Sequence, residues 1–223
     1  MSTDGFRVHP SNESELTAMA NEPIHIRLCE AKDRAAVYAV CLKTGDNGND
    51  ATSLYEDPEA LASIYVGPYM QFEPELAYVA EDAEGVCGYV LGALDSKRFY
   101  SRYVNEWLPE LRERHPEPTG APESWSPTHK IYHQYHHPDE FCPEPYDEYP
   151  SHLHIDLLSR AQGRGLGTRM VERLLAELTE RKSPGVHLGM WAANTRAQRF
   201  YAKLGFRELA RVGDSLYLGK KLT

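Results

Sequence analysis

A chain of 223 residues with 41% apolar content has material for one ordinary hydrophobic core. Its formal charge of −9 supplies no general basic face, which excludes a broad nucleic-acid binder, and no apolar run is long enough to span a bilayer. The first thirty residues lack the basic-then-apolar layout of a signal peptide, and Cys29, Cys41, Cys87 and Cys142 form no C-x-x-C pair, so the expectation is a reduced, cytoplasmic protein with no membrane partner.

Residues 1–22 are polar and without periodicity, which predicts a mobile leader before a single domain over 23–223. Ile24 to Leu28 alternates as an opening strand. Lys32 to Leu42 carries Ala36, Val37, Val40 and Cys41 at helical spacing. Thr44 to Thr52 reads as a loop. Asp57-Pro58 then reads as a cap with proline in the first turn of a helix whose apolar face is Ala60, Leu61, Ile64 and Tyr65. Gly67-Pro68 interrupts that helix. Strands follow at Leu76 to Ala80 and Val86 to Leu94, joined across a hairpin-sized turn. Between Asp95 and Pro150 a helix near Ser96 to Arg114 gives way to a stretch dense in Pro, Tyr and His. A connection this long is either functional or disordered, and Trp125, Tyr132, Tyr135, Phe141, Tyr146 and Tyr149 favour packing.

His152 to Leu157 alternates as a strand, with His152, His154 and Asp156 on one face and Leu153, Ile155 and Leu157 on the other. The polar face must meet a cleft or solvent. A helix from about Thr168 to Arg181 carries Met170, Val171, Leu174, Leu175 and Leu178 as one apolar stripe, ended by Pro184-Gly185. Between strand and helix lies Gln162-Gly163-Arg164-Gly165-Leu166-Gly167. Small residues there let successive backbone N–H groups and the positive end of the helix point at an anion such as a pyrophosphate, with Arg164 and Arg169 nearby. A Rossmann reading of the glycines fails, because the strand is polar-faced and no acidic residue ends a second strand about 20 residues on. A strand at Val186 to Trp191, a short helix after Asn194-Thr195-Arg196 closed by Gly205, and a hairpin over Phe206 to Val212 and Ser215 to Leu222 complete the chain.

The run QGRGLG followed by NTRAQRFYAKLGF at 194–206 resembles the GCN5-related N-acetyltransferases, whose fingerprint is Q/R-x-x-G-x-G/A with a later Asn and Tyr. Further segments, VCLKTGDNGNDAT at 40–52, IYVGPYMQFEPE at 64–75, GYVLGALDSKRFY at 88–100 and YPSHLHIDLL at 149–158, resemble bacterial acetyltransferases similar to the C-terminal acetyltransferase-like domain of animal O-GlcNAcase. The resemblance implies an α/β (α+β) fold: a mixed central sheet of about 6–7 strands flanked by helices, with a long insertion over about 95–150 before the coenzyme-binding strand. It implies acetyl-CoA as cofactor and an amine acceptor, either a small molecule or a protein amino group. The pyrophosphate then rests on Gly163, Arg164, Gly165, Leu166, Gly167 and Thr168, with Gln162 and Arg196 beside it. The pantetheine runs along Leu157, Leu158 and Ser159 like an added strand, and a main-chain N–H near Leu157 serves the oxyanion. Ser159 and Ala161 depart from the commoner proline and aromatic of the family.

Several roles stay open at this stage. Tyr201 matches the family's late tyrosine, a proton donor to the leaving thiolate, but it also sits on an apolar helix face. Asn194 suits either a pantetheine contact or a helix cap. Asp156 suits a general base, an acceptor contact or a structural role, and Asp46, Asp50 and His154 join it as acceptor-side candidates. The cluster His129, His133, His136, His137 and Cys142 matches no standard zinc spacing, so no metal is expected. A direct acetyl transfer is the leading expectation. A non-catalytic module that keeps a coenzyme or ligand pocket is the alternative, and the oligomeric state is not readable.

Overall fold

The computed structural model describes residues 24–138 and 147–222. Its strands are β1 (His25–Leu28), β2 (Ala77–Asp82), β3 (Gly85–Ala93), β4 (Ser151–Leu157), β5 (Gly185–Trp191), β6 (Arg207–Val212) and β7 (Ser215–Lys221). They form one sheet in the order β1-β2-β3-β4-β5-β7-β6. Every neighbouring pair is antiparallel except β4 and β5, which run parallel. That exception positions the site. β4 pairs with β3 along its whole polar run, from Ala93↔His152 to Gly88↔Leu157, but with β5 only at Ser151↔Val186 and His152↔His187. Beyond those two pairs, β4 and β5 diverge and leave a wedge between them.

Helices cover both faces. On one face lie α1 (Arg34–Thr44), α2 (Ala60–Tyr65), α3 (Gly67–Phe72), α4 (Ser96–Arg102), α5 (Leu108–Arg114) and α6 (Pro127–His136), with a π-helical turn at Tyr103–Trp107 between α4 and α5. They pack on Val79, Tyr89, Leu91 and Ala93. On the other face lie α7 (Leu166–Glu180) and α8 (Thr195–Lys203), packed on Val90, Leu153, Val186 and Leu188. The stripe on α7 buries Leu166, Met170, Val171, Leu174, Leu175 and Leu178, each worth about 1.5–3 kcal/mol when fully removed from water. The helix stops where Lys182 adopts a positive φ of 62°, two residues before Pro184. The helical turn expected at Asp57-Pro58 begins later, at Ala60, because the Asp57 carboxylate instead accepts the Glu59 N–H in a turn. Gly67-Pro68 starts α3 rather than ending structure, since proline is tolerated where a helix has no use for its N–H.

The insertion is packed. Tyr135 is fully buried and donates its hydroxyl to the Ala60 carbonyl at 3.0 Å, Tyr132 donates to Asp57 at 3.0 Å, and Arg112 bonds the Tyr135 carbonyl at 2.6 Å. These bonds join α6 to α2 and α5. The leader over 1–22, together with Phe141, Cys142 and Tyr146, lies outside the described residues. Among the described residues no helix is long and apolar enough to cross a membrane.

Candidate active site

The wedge between β4 and β5 opens into a cleft of about 1130 Å³ that passes from the glycine turn and α8 on one side of the sheet to α1, α2 and α6 on the other. Its first half is backbone. Leu158 N–H bonds the Cys87 carbonyl on β3 at 2.9 Å, so by strand alternation the amide and carbonyl of Leu157 face the open side. The Leu157 carbonyl accepts from Gln162 Nε2 at 2.7 Å, and the side-chain Oε1 of Gln162 accepts from Arg196 Nη2 at 2.6 Å. Gln162 therefore fastens the strand end to the turn and to α8.

Gly163 and Gly165 have φ of 75° and 71°, the left-handed region that other residues enter only at a cost. Gly165 is the N-cap of α7, and no side chain caps the helix there. The first-turn N–H groups thus converge, uncapped, on the cleft, where an anion finds both donors and the helix dipole. Gly163, Gly165, Leu166, Gly167 and Thr168 line it. The placement of three coenzyme-side candidates is corrected. Leu158 packs against the α1–α6 core, and Ser159 and Arg164 are exposed; none of the three lines the cleft.

Asn194 caps α8, its side-chain oxygen accepting from the Ala197 N–H at 3.0 Å, and it also lines the cleft. Tyr201 lines the cleft while wedged between Phe200 and Phe206, with ring centroids at 5.0 and 5.5 Å. It is only 8% exposed. Burial, followed by the negative charge of Asp156, pushes its phenol pKa above the usual value, so the hydroxyl keeps its proton. Arg199 and Lys203 add positive charge to the same wall. Sequence reasoning missed both, although their spacing from Arg196, at i, i+3 and i+7, places all three on one helix face.

The second half of the cleft holds the polar face of β4. Asp156 Oδ2 accepts from the Tyr89 hydroxyl at 2.6 Å, and His154 Nε2 lies 3.1 Å from that hydroxyl and 3.3 Å from the carboxylate. Asp156 and His154 remain a quarter and a third exposed, open to a ligand. Tyr89 is fully buried, and burial together with Asp156 raises its pKa well above the ordinary value; it serves as a fixed donor. Cys41, also in the lining, is pushed up to about 12 by burial and then by Asp156, so it is no thiolate nucleophile. Tyr55, Tyr65, Lys130, Ile131 and Gln134 close this side. Tyr65 faces His154 with ring centroids at 5.8 Å.

Two expectations about the polar groups are corrected. His152 does not reach the cleft: α3 and α4 seal it at 4% exposure among Tyr69, Phe99 and Tyr100, and its Nδ1 is 2.7 Å from Ser96 Oγ. The early loop lines the cleft through Thr44, Gly45, Asn47 and Gly48, not through its carboxylates. Asp50 folds back to accept the Thr52 N–H at 2.8 Å, and the Asp46 backbone is tied to Asn49 in a tight turn.

A family model described as the acetyltransferase (GNAT) domain matches residues 140–208. The protein O-GlcNAcase of Rattus norvegicus is 29% identical over 196 residues, which make up 86% of this chain and 21% of that protein. The chain thus spans about a fifth of the length of the curated relatives it matches. Among solved structures, SsHAT is 41% identical with a TM-score of 0.83, over 90% of this chain and 98% of that one. The protein yncA from Salmonella typhimurium, solved with its cofactor acetyl-CoA, shares the fold at 16% identity and a TM-score of 0.53, over 90% and 94% of the two chains.

Proposed function

Because this chain belongs to the GCN5-related N-acetyltransferase family, we propose that it moves an acetyl group from acetyl-CoA directly to an amine, carried by a small molecule or a protein. The observation that carries this reading is the unpaired edge of β4, which runs from Leu153 to Leu157 straight into an uncapped helix N-terminus. An extended arm with amide groups fits the first as an added strand, and a pyrophosphate fits the second. Gly163, Gly165, Leu166, Gly167 and Thr168 hold the pyrophosphate through their backbone, while Arg196, Arg199 and Lys203 offer charge for the remaining phosphate. Bound acetyl-CoA supplies a thioester carbonyl already activated for attack.

The chain's own groups then divide three tasks. The Leu157 N–H, on the open edge, donates to the carbonyl oxygen as it gains negative charge. The Tyr201 phenol, kept protonated by burial and Asp156, gives a proton to the departing sulfur. Asp156, fixed by Tyr89 on the opposite side of β4, takes the proton released by the attacking amine nitrogen. The presence of a donor and an acceptor in one cleft favours turnover over a non-catalytic module. The unpaired thiols of Cys29, Cys41 and Cys87 suit a reducing compartment, and we place the protein in the cytoplasm.

Calorimetric titration with acetyl-CoA, followed by thiol-release assays over a panel of small amines and lysine-containing peptides, tests the proposal. Saturable binding with acceptor-dependent thiol release is expected. Absence of binding overturns the coenzyme site; binding without release for any acceptor leaves the non-catalytic reading in its place.

A further inference from the structure

Outside the cleft, the insertion brings together three groups that the sequence keeps apart. His133 and His137 are one turn apart at the C-terminal end of α6, with ring centroids at 4.4 Å. Glu117, from the segment after α5, lies against both: its Oε1 is 2.6 Å from His137 Nε2 and 3.5 Å from His133 Nδ1. Ligand atoms of the three all fall within 4.8 Å of one another. A hydrogen-bonded Glu–His pair explains Glu117 and His137 on its own. It does not explain His133, whose Nδ1 is shut off from solvent and has no hydrogen-bond partner among the described residues. At 3.5 Å that nitrogen is beyond a good hydrogen bond to the carboxylate.

We infer that Glu117, His133 and His137 form a binding site for a divalent transition metal of the zinc type. Imidazole nitrogens and a carboxylate oxygen at about 2.0–2.2 Å from zinc sit roughly 3.3–3.5 Å from one another in a tetrahedron. The His133–Glu117 separation already has that value; the His137–Glu117 pair opens by about 1 Å through a turn of the exposed Glu117 side chain. Two imidazoles and one carboxylate are the ligand types that select zinc, cobalt or nickel over magnesium or calcium. Trp125 packs against His133 with ring centroids at 4.8 Å and planes tilted by 44°, and it donates its indole N–H to the Thr119 carbonyl at 3.0 Å, which holds the first imidazole in place. Glu117 and His137 are about half exposed, so the metal enters from solvent and keeps a water as fourth ligand. Sequence spacing shows the His pair but not Glu117, sixteen residues before His133.

The site bears on function through α6. Lys130, Ile131 and Gln134 on that helix line the cleft, so a metal that clamps its last turn to the segment at Glu117 fixes the acceptor-side wall. The test is titration of the chelator-treated full chain with zinc chloride alone, followed by calorimetry and by thermal melting. One zinc per chain and a melting temperature that rises with zinc concentration are expected. Glu117→Gln and His137→Ala each weaken binding by roughly tenfold or more, while His129→Ala, one turn earlier on α6 and outside the cluster, leaves it unchanged. Cobalt substitution gives the intense visible bands of a four-coordinate site. Both variants alter half-exposed side chains, and an unchanged metal-free melting curve shows that their fold is intact. No saturable binding, or binding that survives both Glu117→Gln and His137→Ala, overturns the assignment.

Discussion

Gly165 tests the coenzyme site without an acceptor in hand. It caps α7 at a φ of 71° and a ψ of 2°, and a Cβ built there meets no atom within 4 Å. A side chain at this position therefore costs only backbone strain, about 1–2 kcal/mol for an L-residue in the left-handed region. In a domain of this size, 1 kcal/mol corresponds to roughly 2–4 °C, so Gly165→Trp is expected to melt about 2–8 °C lower and still melt cooperatively. Its effect on acetyl-CoA is larger in kind. At a hundredfold excess over Kd, a ligand selective for the folded state adds about 2.7 kcal/mol, or roughly 5–11 °C of melting temperature. An indole among the converging first-turn N–H groups occupies the space the pyrophosphate needs. The wild-type protein should show the full ligand-induced rise in scanning calorimetry and the variant none. A folded Gly165→Trp protein with an undiminished rise refutes the assignment of the anion site to this turn.

Tyr201→Phe keeps the ring between Phe200 and Phe206, so stability and coenzyme affinity should hold while turnover falls roughly 10²–10⁴-fold, as on loss of a general acid; steady-state thiol release at wild-type rate would make Tyr201 a packing residue. Asp156→Asn should depress acetyl transfer far more than acetyl-CoA binding, read by comparing kcat with the calorimetric Kd, and equal losses in both would point instead to damage on the coenzyme side. The buried His152 and His187 have pKa values lowered chiefly by burial, His152 the more strongly. With folded values below the unfolded one near 6.5, each stays neutral above that pH, and stability is lost as the pH falls below it, because the unfolded chain then binds protons the folded chain refuses. Urea denaturation should therefore show stability falling as the pH is lowered from 7.5 to 5.5, and His152→Gln should flatten that slope; an identical slope in the variant would assign the pH dependence elsewhere.

What the sequence made legible, and what it hid, follows from the kind of information each pattern holds. Glycines at 163 and 165 and the apolar stripe from Met170 to Leu178 report local geometry, a positive φ and a 3.6-residue period, and both appear where the pattern puts them. The alternation of β4 assigned faces correctly: Leu153, Ile155 and Leu157 turn toward α7, with His154 and Asp156 on the other face. Alternation carries no information on depth, however. His152 shares a face with Asp156 yet is sealed by α3 and α4, elements distant in sequence. Asp50 was misplaced for the opposite reason, since a short carboxylate in a turn finds a backbone N–H two residues on before it finds a cleft. Tyr89, the donor to Asp156, lies in a β3 run that reads only as buried strand, and nothing local marks its hydroxyl as paired with residue 156.

The parting of β4 from β5 also limits how well the proposed site can tell its ligands apart. Among the described residues, the only strand pairs that join the β1–β4 half of the sheet to the β5–β7 half are Ser151↔Val186 and His152↔His187, so any extended arm laid in the wedge becomes part of the fabric between them. On the proposed mode of binding, the backbone edge from Leu153 to Leu157 and the glycine turn would grip the arm and phosphates of acetyl-CoA, and those parts are identical in free CoA. A clamp built this way holds spent carrier as firmly as loaded carrier. Discrimination would then fall to the few ångströms around Tyr201 and Leu157 where the acetyl group would sit, and the rate at which the emptied carrier escapes would set a ceiling on turnover that no improvement in the chemistry proposed for Asp156 could raise.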